Sequence, residues 1–287
     1  MTRTRRQILR VAGGGLGLTA VGAVGFRATR GDAAGDTGDA DSRDVDALVA
    51  GSLLVLADSV PGATVEAHGS LTVRNLVVDG ARDPDVLALA DPTLFEGIAD
   101  EVTLFATNAL VIAYNPDSAA ADAIAADWRE GLARDDVRVG RTDPKADPLG
   151  YRTVFALDLA DRPDLLEHSS IFPETALMQT LATGKLDAAF VYRNMAVEHD
   201  LPFVELPPEL DFSDPALADE YAQASLDLPG RTVRGAPIRY GATALTAAGE
   251  SWLDALVSDT ERLREHGFAV PESYPTLAPT PPSGRSE

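Results

Sequence analysis

Two carboxylates and a tyrosine carry the chemistry that this chain shows most openly. Asp147 lies in Thr142-Asp-Pro-Lys-Ala-Asp-Pro-Leu-Gly-Tyr-Arg152, Glu174 in Phe172-Pro-Glu-Thr-Ala-Leu177, and Tyr192 ends Leu186-Asp-Ala-Ala-Phe-Val-Tyr192. Pro148 holds Asp147 in an extended conformation and can itself serve as a first helical residue. Gly150 keeps side-chain bulk away from the helix mouth. Such a turn predicts several backbone N–H groups aimed at one spot, where the helix dipole favours an anion. Yet Asp147 places a carboxylate there, a contradiction that only certain ligands resolve.

Two Gly-Ser pairs follow the same strand-end, polar-turn, helix-start logic, which builds ligand sites at the carboxyl edge of open sheets. Ser52 comes from Ala47-Leu-Val-Ala-Gly-Ser-Leu53, and Ser70 from Val65-Glu-Ala-His-Gly-Ser-Leu-Thr72. Each residue also has a plain structural use. The serines could be ordinary helix caps, Glu174 a first-turn carboxylate answering the dipole, and Tyr192 a rim aromatic. His68 stands beside Ser70 with no visible partner for a triad, which argues against a nucleophilic serine. With no cysteine in 287 residues, a thiolate nucleophile, a disulfide and a Cys-based zinc site are excluded.

Short apolar runs alternate with helical patterns around these positions. Strands are expected at 47–49, 64–67, 86–88, 101–106, 109–114, 137–140, 188–192 and 204–206. Helices are expected at 118–133, behind a Ser118 cap, and at 150–160, 174–183 and 251–266. Alternation of this kind argues an α/β fold with mainly parallel sheets.

The formal charge is −21, which makes nucleic acid and anionic membranes poor partners. Of the acids 30 are Asp, and of the 24 basic residues only Lys145 and Lys185 are lysine. That skew resembles proteins of salt-loving archaea and predicts a chain that needs high salt to screen its self-repulsion. Thr4-Arg5-Arg6-Gln7-Ile8-Leu9 before the apolar run Val11–Phe26 fits a twin-arginine export signal, either cleaved or retained as a membrane anchor. Residues 1–26 are therefore read as export signal, 27–44 as an acidic linker and 275–287 as a disordered tail.

Taken in order, the segments from about Ala47 to Tyr274 resemble the archaeal molybdate/tungstate-binding proteins of ABC transporters. The marks are Ala50-Gly-Ser-Leu53, Asp85-Val-Leu-Ala-Leu-Ala-Asp91, Ala106-Thr-Asn-Ala-Leu-Val-Ile-Ala-Tyr114, Asp143–Arg152, Gly184–His199 and Phe203-Val-Glu-Leu-Pro207. The resemblance implies a type II periplasmic-binding-protein-like fold, with two α/β lobes closing on a ligand in the cleft. Lobe I would be 45–113 plus 238–274, and lobe II 114–237. It further implies that Ser52, Ser70, Asp147, Glu174 and Tyr192 surround the oxyanion, with Asp147 and Glu174 on its central Mo or W. No other cofactor is implied; the partner would be a membrane permease, and the protein a non-enzymatic monomer. The chain departs from the family in three places: Leu149 replaces a common cysteine, the helix after Gly-Ser-Leu is cut short, and so is the segment from Arg152 to Glu174.

The chemistry gives the two acids a reason. An ionised carboxylate about 4 Å from a dianion such as sulfate costs about 8 kcal/mol at an effective dielectric of 20. One protonated carboxyl could donate to phosphate, so a single acid is ambiguous. Two acids favour oxygens that bind the central atom directly, which Mo(VI) and W(VI) permit by expanding their coordination, whereas sulfur and phosphorus do not. Sulfate or phosphate binding, and an enzyme using Asp147 and Glu174 as acid and base, are the alternatives.

Overall fold

The computed structural model describes residues 44–282. The export segment, nearly all of the 27–44 linker and residues 283–287 lie outside them. Thirteen strands are described: β1 Val45–Ala50, β2 Ala63–His68, β3 Val86–Leu89, β4 Glu101–Thr107, β5 Leu110–Tyr114, β6 Val139–Arg141, β7 Ser169–Ile171, β8 Ala188–Tyr192, β9 Phe203–Glu205, β10 Ser225–Leu228, β11 Arg231–Arg234, β12 Arg239–Ala244 and β13 Thr276–Pro279.

They form two main sheets, each at the centre of one lobe. The first has the order β13-β4-β12-β3-β1-β2, the second β7-β6-β8-β5-β9, and β10 pairs with β11 as a separate hairpin. Strands β3 and β8 are buried at every position, as continuous apolar runs should be when helices cover both faces of a sheet.

Each sheet is mixed rather than mainly parallel. β2, β1 and β3 run parallel, as do β7, β6 and β8, whereas β12, β13, β5 and β9 pair antiparallel. Crossover helices impose the parallel pairs, whereas β5 and β12 each enter their sheet from a passage between the lobes and run against both neighbours. It passes from the first sheet to the second at Asn108–Ala109 and returns between β11 and β12. β5 therefore belongs to the second lobe, so the first passage falls before residue 110 rather than after 113.

Three further expectations are corrected. Residues 276–279 are not a disordered tail: β13 pairs with β4 through Leu104 to Glu101. Pro279 is tolerated because β13 is an edge strand. The 118–133 helix is two, Ala121–Ala126 and Trp128–Leu132, broken where Asp127 turns extended and its carboxylate accepts from Arg129 N at 2.9 Å. The 251–266 helix likewise divides, at Asp259, into Glu250–Ser258 and Thr260–Glu265. The helix after β1 is short as expected, only Leu54–Asp58.

Candidate functional site

The five residues singled out in the sequence stand at the ends of elements that face one another across the lobes. Ser52 sits in the 3-10 turn Gly51–Leu53 after β1, and Ser70 opens the helix Ser70–Val78 after β2. Asp147 is the N-cap of helix Pro148–Leu159, Glu174 the first residue of helix Glu174–Ala182, and Tyr192 the last residue of β8. All five are buried, at 0 to 4% exposure. That matters for the acids, because a buried carboxyl without compensation loses its charge.

Asp147 is compensated from its own helix. Its Oδ1 accepts from Gly150 N at 2.9 Å and from Thr142 Oγ1 at 2.8 Å. Burial pushes its ionisation above the usual carboxylate range, and these two donors oppose the push. The open nest of N–H groups expected at this turn is therefore not open. Ala146 N and Asp147 N donate back to Asp143 O, and Gly150 N serves Asp147. The mouth is tight enough that a Cβ on Gly150 would lie 2.5 Å from backbone atoms of Asp143 and Pro144.

Glu174 is less satisfied. Burial raises its ionisation well above the usual range and the Asp147 charge raises it further; the Ser52 hydroxyl and the Gly51 and Ser52 amides pull the other way. None of those groups meets hydrogen-bond geometry at Oε2, which is buried without a partner. A cleft of about 310 Å³ opens here, lined by Gly69, Asp147, Pro173 and Glu174 among others.

Tyr192 brings in a cation that the sequence reading left out of the site. Arg152 Nη1 donates to the Tyr192 hydroxyl at 2.6 Å and, across the lobes, to Ala90 O at 3.1 Å. The guanidinium is buried, and its Nε has no partner. Tyr240, from β12, also joins: its hydroxyl lies 3.2 Å from Ser52 Oγ, and its ring meets Tyr192 edge-on at 6.2 Å. Arg152 was legible in the contiguous Asp-Pro-Leu-Gly-Tyr-Arg block, one turn into the Asp147 helix. Tyr240 carried no local signal.

Ser70 is placed somewhat apart. Its Oγ accepts from Ala90 N at 3.1 Å, and the next two amides, Leu71 and Thr72, donate across the lobes to Ala146 O at 3.0 and 3.1 Å. Asn194 Nδ2 donates to Ser52 O at 2.7 Å, and the Tyr151 hydroxyl donates to Asp91 Oδ2. These contacts hold the lobes closed. His68 lines the same cleft as Asp147 and Glu174, and its ring pairs with Glu66 Oε1 at 2.8 Å.

Two α/β lobes joined by two chain passages, with polar groups from facing strand and helix ends buried between them, define a solute-binding protein of the type II fold. Sequence comparison agrees. A profile described as bacterial extracellular solute-binding protein matches residues 62–269, and the chain belongs to that family. A Haloferax volcanii protein, provisionally named as an ABC transporter molybdenum-binding protein, is 47% identical over 92% of this chain and 90% of its own length. The molybdate/tungstate-binding protein of Thermococcus kodakarensis is 36% identical over 64% of this chain and 63% of its own. Among solved structures, the periplasmic molybdate-binding protein of Azotobacter vinelandii matches with a TM-score of 0.59 at 14% identity, over 80% of this chain and 100% of that one. The sulfate-binding protein SubI of Mycobacterium tuberculosis matches at 0.51 and 12% identity, over 80% and 87%. At such identities the likeness speaks to the fold alone.

Proposed function

We propose that this protein works outside the cytoplasm, as a monomer, capturing molybdate or tungstate and handing it to the membrane permease of an ABC transporter. The observation that carries the reading is the pairing of Asp147 with Glu174 in one buried cleft, with Glu174 Oε2 left unpartnered. Two carboxylates oppose a sulfate or phosphate dianion but can join a Mo(VI) or W(VI) centre as hard oxygen donors. Arg152 supplies the positive charge that a simple oxyanion site would also need, so the acids, not the cation, set the preference. Ser52, Ser70 and Tyr192 hold the oxo groups, and the twin-arginine segment exports the folded chain. The family is one of extracellular solute-binding proteins, so the protein is read as a carrier rather than an enzyme. Contacts made only with the lobes together let the ligand select the closed state.

Calorimetry in molar potassium chloride tests this. Tungstate and molybdate should bind and sulfate should fail to compete; Asp147→Ala with Glu174→Ala should lose tungstate affinity while keeping the fold. Unchanged tungstate binding in that double variant overturns the reading. Sulfate binding equal to that of tungstate favours the general oxyanion alternative.

A further inference from the structure

On the far side of the Leu71–Ala146 contact lies a second cavity, of about 480 Å³, with a character opposite to the rest of the molecule. Arg74, Lys145 and Arg231 line it, and Glu96 is the one carboxylate that does. The chain carries a formal charge of −21 and only two lysines, so three cations around one cavity are a marked local reversal. Arg74 is partly fixed, its Nη2 donating to Glu96 O at 3.2 Å. Arg231 is not, since its Nη2 is buried with no hydrogen-bond partner. A buried guanidinium donor left unmatched is costly, and a charged acceptor is the group that satisfies it best.

The cations also come from different lobes. Arg74 and Glu96 follow β2 and β3 in the first lobe; Lys145 precedes the Asp147 helix in the second, and Arg231 follows the Pro229-Gly230 turn of the β10–β11 hairpin. That hairpin is placed by Pro229 and by Gly230, whose φ of +80° suits glycine. The contact of Leu71 N with Ala146 O, at 3.0 Å, walls the cavity off from the cleft of Asp147 and Glu174.

The geometry points to a second anion site here, for a small polyvalent oxyanion of the phosphate class, complete only when the lobes are closed. A polyvalent anion can engage all three cations at once; a chloride ion cannot. The buried Arg231 Nη2 is screened by molar salt less than an exposed charge is, whereas the exposed Lys145 feels that screening in full. An occupant held by both lobes has differential affinity for the closed form and so biases the protein towards it. That last consequence rests on the reading of the protein as one that closes on its cargo; the binding itself does not.

Tripolyphosphate, too long for a shell around one tetrahedral oxyanion, is the probe, titrated by calorimetry in 1 M potassium chloride. It should bind the wild-type protein and Asp147→Ala/Glu174→Ala alike. Arg74→Gln/Lys145→Gln/Arg231→Gln should bind at least tenfold more weakly, with circular dichroism confirming its fold. Lys145→Gln alone, at an exposed position, should weaken binding at least threefold without risk to folding. No heat with the wild type, or equal affinity in the triple variant, overturns the proposal. So does loss of binding in the Asp147/Glu174 variant with retention in the triple variant, which would put the anion in the principal cleft. Because tungstate is absent from every arm, failure of the cargo assignment leaves this test intact.

Discussion

Gly51 and Glu174 face each other so closely that a Cβ on Gly51 would lie 2.6 Å from Glu174 Oε2. The two belong to different lobes, the turn after β1 and the helix after β7. Glycine is required at 51 by this approach, not by its own backbone. Gly51→Ala should therefore push Glu174 out of position, or hold the lobes slightly apart, and overpacking of this kind costs about 1–3 kcal/mol. The expected outcome is tungstate binding weakened by about tenfold or more, with a circular dichroism spectrum like the wild type. Calorimetry showing full affinity in Gly51→Ala would mean that Glu174 does not need its observed place.

The two buried acids make opposite predictions for stability and for binding as pH changes. Burial pushes Asp147 up to about 7 and Glu174 well above its usual value, against about 4 for both in an unfolded chain. Below pH 4 both states hold the protons, and neither acid contributes to stability. As pH rises beyond 4 the unfolded chain releases its protons first, so the ligand-free folded state loses stability until the folded groups titrate in turn. Its melting temperature should fall from pH 5 to pH 8, and Asp147→Asn with Glu174→Gln should flatten the profile. Oxyanion binding through ionised carboxylates releases those protons, so apparent tungstate affinity should rise over the same range. Parallel melting profiles for the wild type and the double variant would remove the basis of both trends.

Arg152 is a buried cation held by the Tyr192 hydroxyl, Ala90 O and, at 4.0 Å, Asp91. Its removal leaves Asp91 without its nearest positive charge in a buried setting, a loss that commonly costs about 3–5 kcal/mol. Arg152→Gln should lower the unfolding free energy by about 3 kcal/mol and also weaken oxyanion binding. Arg152→Lys keeps the charge without the planar fork, and so should recover part of the stability. Urea denaturation in high salt measures both; an Arg152→Gln protein as stable as the wild type would refute the assignment.

The difference between what was legible and what was not follows from the range over which each signal acts. Asp147 could be read because Pro148, Gly150 and the helix pattern are its immediate neighbours and dictate an N-cap. The continuous apolar runs of β1, β3 and β8 were visible for the same reason. Tyr240 and the lobe membership of β5 depend on pairings far along the chain, Arg239 with Thr107 and Leu110 with Tyr192, which no local window contains. β10, β11 and β13 are four residues each and lie at edges or in a lone hairpin, so alternation was too short to announce them. The N–H groups at the Asp147 helix were misjudged because a sequence shows how many donors a turn leaves, not that its own aspartate will take one.

The surface charge sets the conditions under which all of this is measured. At 0.1 M salt the Debye length is about 10 Å, so carboxylates across a whole face of a −21 chain repel one another. At 1 M it is about 3 Å, and only near neighbours still do. Several ion pairs within the described residues, such as Arg82 with Glu66 and Arg134 with Asp136, are exposed and weaken in salt, but each contributes little. The repulsion among unpaired acids is the larger sum. The melting temperature should therefore climb by roughly 10 °C or more between 0.1 and 3 M potassium chloride, which for a chain of this size corresponds to a few kcal/mol. Specific ion binding would saturate early, whereas screening continues to act until the Debye length falls below the spacing between charges. A melting temperature indifferent to salt over that range would show that the carboxylate excess is not a constraint on folding.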